Sequence, residues 1–355
     1  MMMGKDNRIK FLQVIPELNV GGAERVVLEL TKGLERRGEK VGVAYLLDQT
    51  KLMIQYSELS TPFFNLNVSK RNPVSFIKAV YQLSKIVKNH HIQLIHAHMF
   101  HALLLCILVK LFNRDIKLVF TSHSFAGFGK LRSILIRFTR KLRAADIVFS
   151  KKQHSNLNSE RTLIIGNGVQ AENTKINFSE NREIKKFIIV GRLSALKDHQ
   201  LLIKNFAKLS DQSTELWIVG DGELRSMLEN LVQEYNLVSR IKFWGLQQDV
   251  RHFLRQSDCF IISSKWEGLP MALLEAAMVG LPVISTPVGA VPELLENNRG
   301  YIATRENLFT VMEYVLNHPE EAYIRALNLQ EWVESHYSAQ AMVDKHINLY
   351  KSLIG

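Results

Sequence analysis

Twice along this chain, short apolar strands alternate with segments of helical periodicity, and no other feature narrows the fold as far. The first series opens with IKFLQVI (9–15) and the glycine turn Gly21-Gly22. Residues 23–37 then repeat apolar positions at helical spacing, with Val26, Val27, Leu30 and Leu34. Lys40 to Leu47 reads as a strand, and Pro73 opens a helix running to about Asn89. HIQLIHAH (91–98) and IKLVFTSH (116–123) are strands flanking an apolar helix over 99–112, and ADIVFS (145–150) and TLIIGNGV (162–169) complete the series. Residues 171–184 are polar and aperiodic and read as a linker. A second series follows, with strands at 186–192, 215–222, 240–245, 258–263 and 281–286 and helices notably at 199–209, 223–235 and 269–279. Successive helices close the chain from about residue 306. Strands separated by helices imply parallel sheets with helices on both faces. A length of 355 residues suits two such domains better than one core.

Charge divides as unevenly as pattern does. Residues 1–175 hold 27 Lys and Arg against 12 Asp and Glu, whereas the remaining 180 residues are slightly acidic. A basic half implies an anionic partner: a nucleic acid, an anionic membrane or a phosphorylated substrate. The segment KLRSILIRFTRKLR (130–143) interleaves cations with Leu131, Ile134, Leu135, Ile136, Phe138 and Leu142. As a helix it suits an anionic membrane surface through Lys130, Arg132, Arg137, Arg140, Lys141 and Arg143, and it equally suits a surface helix packed on a sheet. No RNA-recognition motif or aromatic stacking platform accompanies it, so nucleic acid is not the expected partner. The longest uninterrupted apolar run, Ala102–Val109, is far short of the roughly 20 residues that cross a bilayer. The N-terminus lacks the pattern of a signal peptide. The two cysteines, Cys106 and Cys259, lie in apolar runs and read as buried free thiols. The expected location is the cytoplasm, or the inner face of the membrane.

Ligands of open parallel sheets bind at the carboxyl ends of the strands, so chemistry is sought there. The strongest constellation is SSKWEGLPMALLEAAMVGLPVIS. Glu267 stands in the loop after the 258–263 strand, Gly268, Leu269 and Pro270 follow, and Glu275 lies eight residues on, in an apolar helix. Pro270 suits the first helical turn, and Met271 and Ala272 would present backbone N–H groups at a positive helix end, a natural phosphate site. Two carboxylates flanking such an end can hold sugar hydroxyls on either side of a diphosphate. The same spacing also suits two solvated glutamates, although the apolar run around Glu275 argues against simple exposure. In GRLSALKDH, Arg192 and Lys197 would neutralise a diphosphate, unless they belong to an exposed basic loop. Gly21 and Gly22 permit close backbone approach to a ligand. WIVGDGE, FWGLQ and IGNGV are ordinary strand-to-loop turns; Gly245 and Leu246 of the second join the candidate binding set. Among His96, His98, His101 and His123, only His123 ends a strand where a substrate would reach it. No carboxylate or cysteine spacing makes these histidines a metal site, and no Asp-x-Asp occurs anywhere.

In this order, GGAE (21–24), TSH (121–123), NGV (167–169), GRLSALK (191–197), VGDGEL (219–224), SDCFIISSKWEGLPMALLEA (257–276), GLPVIST (280–286) and PELL (292–295) resemble the retaining glycosyltransferases of family 4. The resemblance spans nearly the whole chain and is densest from 186 to 296. It implies an α/β GT-B fold: two Rossmann-like parallel-sheet domains facing each other across a cleft. The expected bounds are 1–175 for acceptor binding, 176–336 for the nucleotide sugar, and a helix over 337–355 crossing back to the first domain. It implies that Glu267 contacts the transferring sugar and Glu275 the ribose hydroxyls. Arg192 and Lys197 would stabilise the departing diphosphate, the backbone of Gly268, Leu269 and Met271 would hold sugar and phosphate, and His123 would lie near the donor sugar. Neither a metal nor another cofactor is implied, since the nucleotide sugar is a substrate. The expected activity is transfer from a nucleoside-diphosphate sugar, UDP-linked first, to a saccharide or lipid-linked acceptor, with cell-surface polysaccharide synthesis as the expected setting. Rival readings are a nucleotide-sugar epimerase of similar fold, or a non-catalytic protein that binds nucleotide sugar or nucleic acid. Two positions depart from the family pattern: Asp198 stands where Gly is frequent, and Ala290 replaces a common second Gly.

Overall fold

A computed structural model describes residues 9–19, 21–48, 59–69, 72–123, 130–150, 161–170 and 183–355. The linker expected over 171–184 therefore falls almost wholly outside the described residues. The chain divides into two compact units: Met1–Gly168 with Ala339–Gly355, and Val169–Ser338.

The first unit is built on a seven-stranded sheet in the order β3-β2-β1-β4-β5-β6-β7. The strands are β1 (Phe11–Ile15), β2 (Val41–Tyr45), β3 (Phe63–Asn65), β4 (Leu94–His98), β5 (Lys117–Thr121), β6 (Ala145–Val148) and β7 (Thr162–Ile164). Every pairing is parallel. Helices Gly22–Arg36, Pro73–Asn89 and Met99–Phe112 supply the crossovers, and the Asn72 side chain caps the second by accepting from the Val74 N–H at 3.0 Å. The central strands are buried along their whole length. This is the burial expected of a parallel sheet covered on both faces. Leu12, Val14, Ile95, Leu118 and Phe120 meet Leu83, Leu103 and Cys106 in one core.

The last helix, Ala339–Ile354, belongs to this same unit. Tyr350 is fully buried with its ring 5.0 Å from that of Phe11, a burial worth about 1.5–3 kcal/mol. Arg37 pairs with Asp344 at 2.7 Å and Lys351 with Glu39 at 2.8 Å.

The second unit carries a six-stranded parallel sheet, β10-β9-β8-β11-β12-β13. Its strands are β8 (Lys186–Val190), β9 (Glu215–Val219), β10 (Ile241–Gly245), β11 (Cys259–Ile262), β12 (Val283–Ser285) and β13 (Tyr301–Ile302). Phe187, Ile189, Ile218, Ile261 and Ile284 pack against Leu202, Phe206, Leu228 and Met312. Both cysteines are free and buried, and burial pushes both thiols up.

Two parallel α/β units are what the alternating pattern predicts. The additions are short: β3, β13 and helices Val250–Arg255 and Val291–Leu295. Pro270 caps helix Met271–Val279 from outside instead of occupying its first turn.

Candidate active site

In the second unit, two strand-end loops are sewn together. β8 leads through Gly191 and Arg192 to Lys197, and β11 leads through Ser263 and Ser264 to Glu267. The Lys265 N–H donates to the Leu196 carbonyl at 2.8 Å, and the Ser263 hydroxyl donates to the Lys197 carbonyl at 2.9 Å. The Lys197 side chain lies over Gly191, where a Cβ would come within 3.0 Å of its Cε. From there its ammonium reaches Glu267 Oε1 at 2.6 Å, and the Ser264 hydroxyl donates to the same oxygen at 2.7 Å. Side-chain exposure of 25% for Lys197 and 12% for Glu267 puts this pair between surface and interior.

Three residues after Glu267, helix Met271–Val279 begins. Its N-cap, Pro270, has no capping side chain, and the Pro270 carbonyl accepts from Leu273 and Leu274. The amides with no partner inside the helix are therefore those of Met271 and Ala272, at the positive end of its dipole. Leu269 and Met271 are buried beside them. Glu275, the fifth residue of the helix, is also buried, as its apolar surroundings in the sequence suggested.

Gly289 fixes how this loop is backed. Its φ is +55°, and a Cβ there would stand 2.2 Å from the Gly268 carbonyl oxygen. Only glycine lets the loop after β12 touch the Glu267-Gly268 backbone, where Ala290 N–H donates to Gly268 O at 2.9 Å. Ala290 itself has φ −86°, so no glycine is needed there. Asp198, by contrast, adopts φ +49°, the conformation that makes glycine frequent at such a position. Aspartate tolerates it and adds a cap, accepting from the Leu201 N–H, while pairing with Arg305.

Arg192 sits on the other side of the β8 loop. It donates to Glu223 at 3.2 Å, with 74% and 53% of the two side chains exposed. The structure thus brings Lys197 and Glu267 into contact and gives Arg192 a different partner. An exposed pair of this kind is worth about 0–1 kcal/mol, so releasing Arg192 toward a ligand costs little. The β8 and β9 loops pack so closely that a Cβ on Gly220 would stand 2.0 Å from Gly191 O; the glycines of WIVGDGE are structural. Gly245 ends β10 at φ +67° and accepts from the Gly220 N–H, and the next residue, Leu246, is exposed.

The first unit holds a second group of candidates. Gly21 caps helix Gly22–Arg36, and the Glu24 carboxyl folds back over it so closely that a Cβ on Gly21 would meet Oε2 at 2.2 Å. Burial raises Glu24 to about 7. The GGAE turn therefore offers a carboxyl beside its glycines, a residue visible in the motif but overshadowed by them.

His123 follows β5 and contacts His98 through Nε2···Nδ1 at 2.9 Å. His98 Nε2 meets Gln13 Oε1 at 2.6 Å, and Gln13 Nε2 donates to the Tyr350 hydroxyl at 3.1 Å. Tyr350 meets His96 Nδ1 at 2.5 Å, and His96 Nε2 meets Thr121 Oγ1 at 2.7 Å. Burial holds all these histidines neutral: His96 and His98 lie well below the usual range, His123 falls to about 3 and the neighbouring His346 to about 4. Gln13 and Tyr350 carried no sequence signal, since one is a lone polar residue within a strand and the other is 254 positions from His96. Among the described residues, no cluster of three or more His, Cys, Asp or Glu is arranged to hold a metal ion.

The basic segment forms helix Lys130–Phe138 and a 3-10 turn over Thr139–Leu142. Lys130 opens the helix, and Arg132, Arg137, Arg140 and Lys141 are exposed beside Ile134, Leu135 and an 83% exposed Phe138. Arg143 departs from the expected surface role. It is buried and forks onto Asp146 at 2.5 and 3.0 Å, and it donates to the Ile136 carbonyl and the Thr139 hydroxyl. A guanidinium this enclosed holds the helix against β6 and is not available to a membrane. No helix among the described residues is long and apolar enough to cross one.

Residues 20–173 match the Glycosyltransferase Family 4 family, and residues 170–322 match Glycosyl transferases group 1. A phosphatidylinositol N-acetylglucosaminyltransferase component of Homo sapiens is 27% identical over 299 residues, 79% of this chain and 62% of that protein. The chain thus matches less than two thirds of the human relative's length. N-acetyl-alpha-D-glucosaminyl L-malate synthase of Bacillus anthracis is 25% identical over 80% of this chain and 81% of its own. Among solved structures, Anabaena HepE in complex with UDP-glucose superposes with a TM-score of 0.84 at 19% identity, covering 97% of this chain and 100% of the other. That likeness establishes a shared fold.

Proposed function

The chain belongs to the family 4, group 1 glycosyltransferases, and on that basis we propose that it transfers a sugar from a nucleoside-diphosphate donor to a saccharide or lipid-linked acceptor, with retention at the anomeric carbon. A UDP-sugar is the first choice of donor, because the Anabaena structure carries UDP-glucose and two relatives are named for N-acetylglucosaminyl chemistry. Cell-surface polysaccharide synthesis is the proposed setting, on the cytoplasmic side.

One observation carries the reading: Lys197 is clamped to Glu267 immediately before a helix whose N-terminal amides lack a side-chain cap. As the anomeric C–O bond breaks, charge collects on the departing diphosphate while the acceptor oxygen bonds to the sugar. A fixed ammonium and fixed amides stabilise that charge more than the ground state, which is what accelerates the step. Arg192 adds a second cation once released from Glu223. Glu267 contacts the transferring sugar through the oxygen Lys197 leaves open, and buried Glu275 takes the ribose hydroxyls. Gly268, Leu269 and Met271 line the sugar and phosphate, with Gly245 and Leu246 on the nucleotide side. In the first unit, Gly21 and Gly22 approach phosphate and His123 the sugar. With these cations in place the chemistry needs no metal. The exposed cations and apolar residues of helix Lys130–Phe138 favour an anionic membrane surface, where a lipid-linked acceptor resides.

Product analysis tests the reading. A panel of UDP-sugars with candidate acceptors should release UDP and lengthen the acceptor with the donor's anomeric configuration. An isomerised donor sugar would indicate an epimerase, and binding without turnover would indicate a non-catalytic protein.

A further inference from the structure

The protons of the first unit's polar core can be assigned one by one. The Gln13 carboxamide presents Oε1 to His98 Nε2 and its NH2 to Tyr350. Oε1 only accepts, so the proton of the His98–Gln13 bond sits on His98 Nε2. Neutral imidazole carries one ring proton, which leaves His98 Nδ1 a bare lone pair. That lone pair faces His123 Nε2 at 2.9 Å, so His123 supplies the proton. His123 is neutral as well, and its own Nδ1 therefore carries none. On the other branch, the Tyr350 oxygen accepts from Gln13 and its hydroxyl hydrogen goes to His96 Nδ1. His96 then donates from Nε2 to Thr121 Oγ1. No two donors and no two acceptors face each other anywhere along the chain of bonds.

We infer that Gln13, His98 and Tyr350 are positioning residues that lock His123 as its Nε2–H tautomer, so that Nδ1 is an obligate acceptor for a substrate hydroxyl. The Gln13 amide acts as the selector. Rotating it by half a turn would reverse every bond in the row and put a proton on His123 Nδ1, and the linkage makes the reversal all-or-none. Tyr350 holds the amide from the last helix, which ties the ring chemistry of a residue at the end of β5 to the final turn of the chain. A ligand hydroxyl meets the Nδ1 lone pair as a donor. A carboxylate or phosphate oxygen at the same point has nothing to donate and would bind about ten-fold more weakly or worse. The specificity consequence rests on the reading of His123 as a substrate-contacting group; the tautomer does not.

The test is a long-range 1H–15N correlation spectrum of the full-length protein labelled with 15N-histidine, with His123 assigned from the spectrum of His123→Gln. The expected wild-type result is a protonated Nε2 and a bare Nδ1 at His123, unchanged from pH 6 to 8. Tyr350→Phe removes the acceptor of the Gln13 NH2, and Gln13→Met removes the selector altogether. Each is expected to give mixed tautomers at His98 and His123, with folding checked by circular dichroism. At an even mixture, donor affinity should fall about two-fold, because half the molecules are competent. A wild-type His123 protonated on Nδ1 would overturn the inference, as would a pure Nε2–H signal persisting in both folded variants. The spectrum needs no donor, so failure of the glycosyltransferase reading leaves the tautomer result standing, and the converse holds too.

Discussion

Replacing Lys197 with alanine separates the chemical role of the Lys197–Glu267 pair from its structural one. The substitution leaves Glu267 partly buried, 12% exposed, with Ser264 as its remaining side-chain partner. Exposed pairs contribute about 0–1 kcal/mol, and stripping one partner from a fully buried pair costs about 3–5 kcal/mol. With Lys197 itself 25% exposed, a stability loss of about 2 kcal/mol is expected. For a unit of this size that lowers the melting temperature by about 4–8 °C. The effect on catalysis should be larger. Losing one fixed group that stabilises a developing anion costs about 10²–10³ in turnover, or about 3–4 kcal/mol. UDP release at saturating donor measures turnover, and calorimetry measures stability. Lys197→Arg keeps the charge and should recover part of the rate. A Lys197→Ala enzyme that melts several degrees lower yet turns over within a few-fold of wild type would refute the chemical role and leave only a structural ion pair.

Four further outcomes follow from the geometry. Gly289→Ala should destabilise the second unit by about 1–3 kcal/mol and lower turnover, because φ +55° and the 2.2 Å approach to Gly268 O leave no place for a Cβ; urea denaturation and the release assay check it. Burial holds His123 at about 3, below its unfolded value near 6.5, so its stabilisation is complete above pH 6.5 and is lost as pH falls toward 3. That share is about 2 kcal/mol between pH 7 and pH 5, and the pH dependence of urea midpoints should weaken accordingly in His123→Gln. Glu24 works in the opposite sense: its pKa of about 7 lies above the unfolded 4.5, so its stabilisation is present at low pH and lost as pH rises through 7, and Glu24→Gln should raise stability more at pH 8 than at pH 5. Arg143→Ala should cost about 3–5 kcal/mol with no specific loss of vesicle binding, whereas serine at Arg132, Arg137, Arg140 and Lys141 should abolish sedimentation with anionic vesicles at little cost in stability.

Periodicity made the two sheets legible because their strands are buried on both faces and read as apolar runs. β3 and β13 escaped because three residues and two residues cannot establish a period. The phosphate-site candidates of the second unit were legible for a similar reason: Lys197, Glu267 and the helix after Pro270 all sit at strand ends. What sequence could not give was partner choice. Arg192 and Lys197 are equivalent cations five positions apart, yet one pairs with Glu223 and the other with Glu267. Arg143 looked like its five basic neighbours, and only the approach of β6 with Asp146 distinguishes it. The Gln13–His98–Tyr350 network was hidden because its members come from β1, β4 and the last helix, and long-range polar complementarity leaves no local pattern.

Isothermal titration of UDP, UMP and uridine against wild type and Lys197→Ala tests most directly whether a diphosphate is held by Lys197 and the amides of helix Met271–Val279. UDP is predicted to bind wild type far more tightly than UMP or uridine, and Lys197→Ala to remove most of that advantage while leaving uridine affinity unchanged. Equal affinities for UDP and uridine in the wild-type protein would contradict the diphosphate grip.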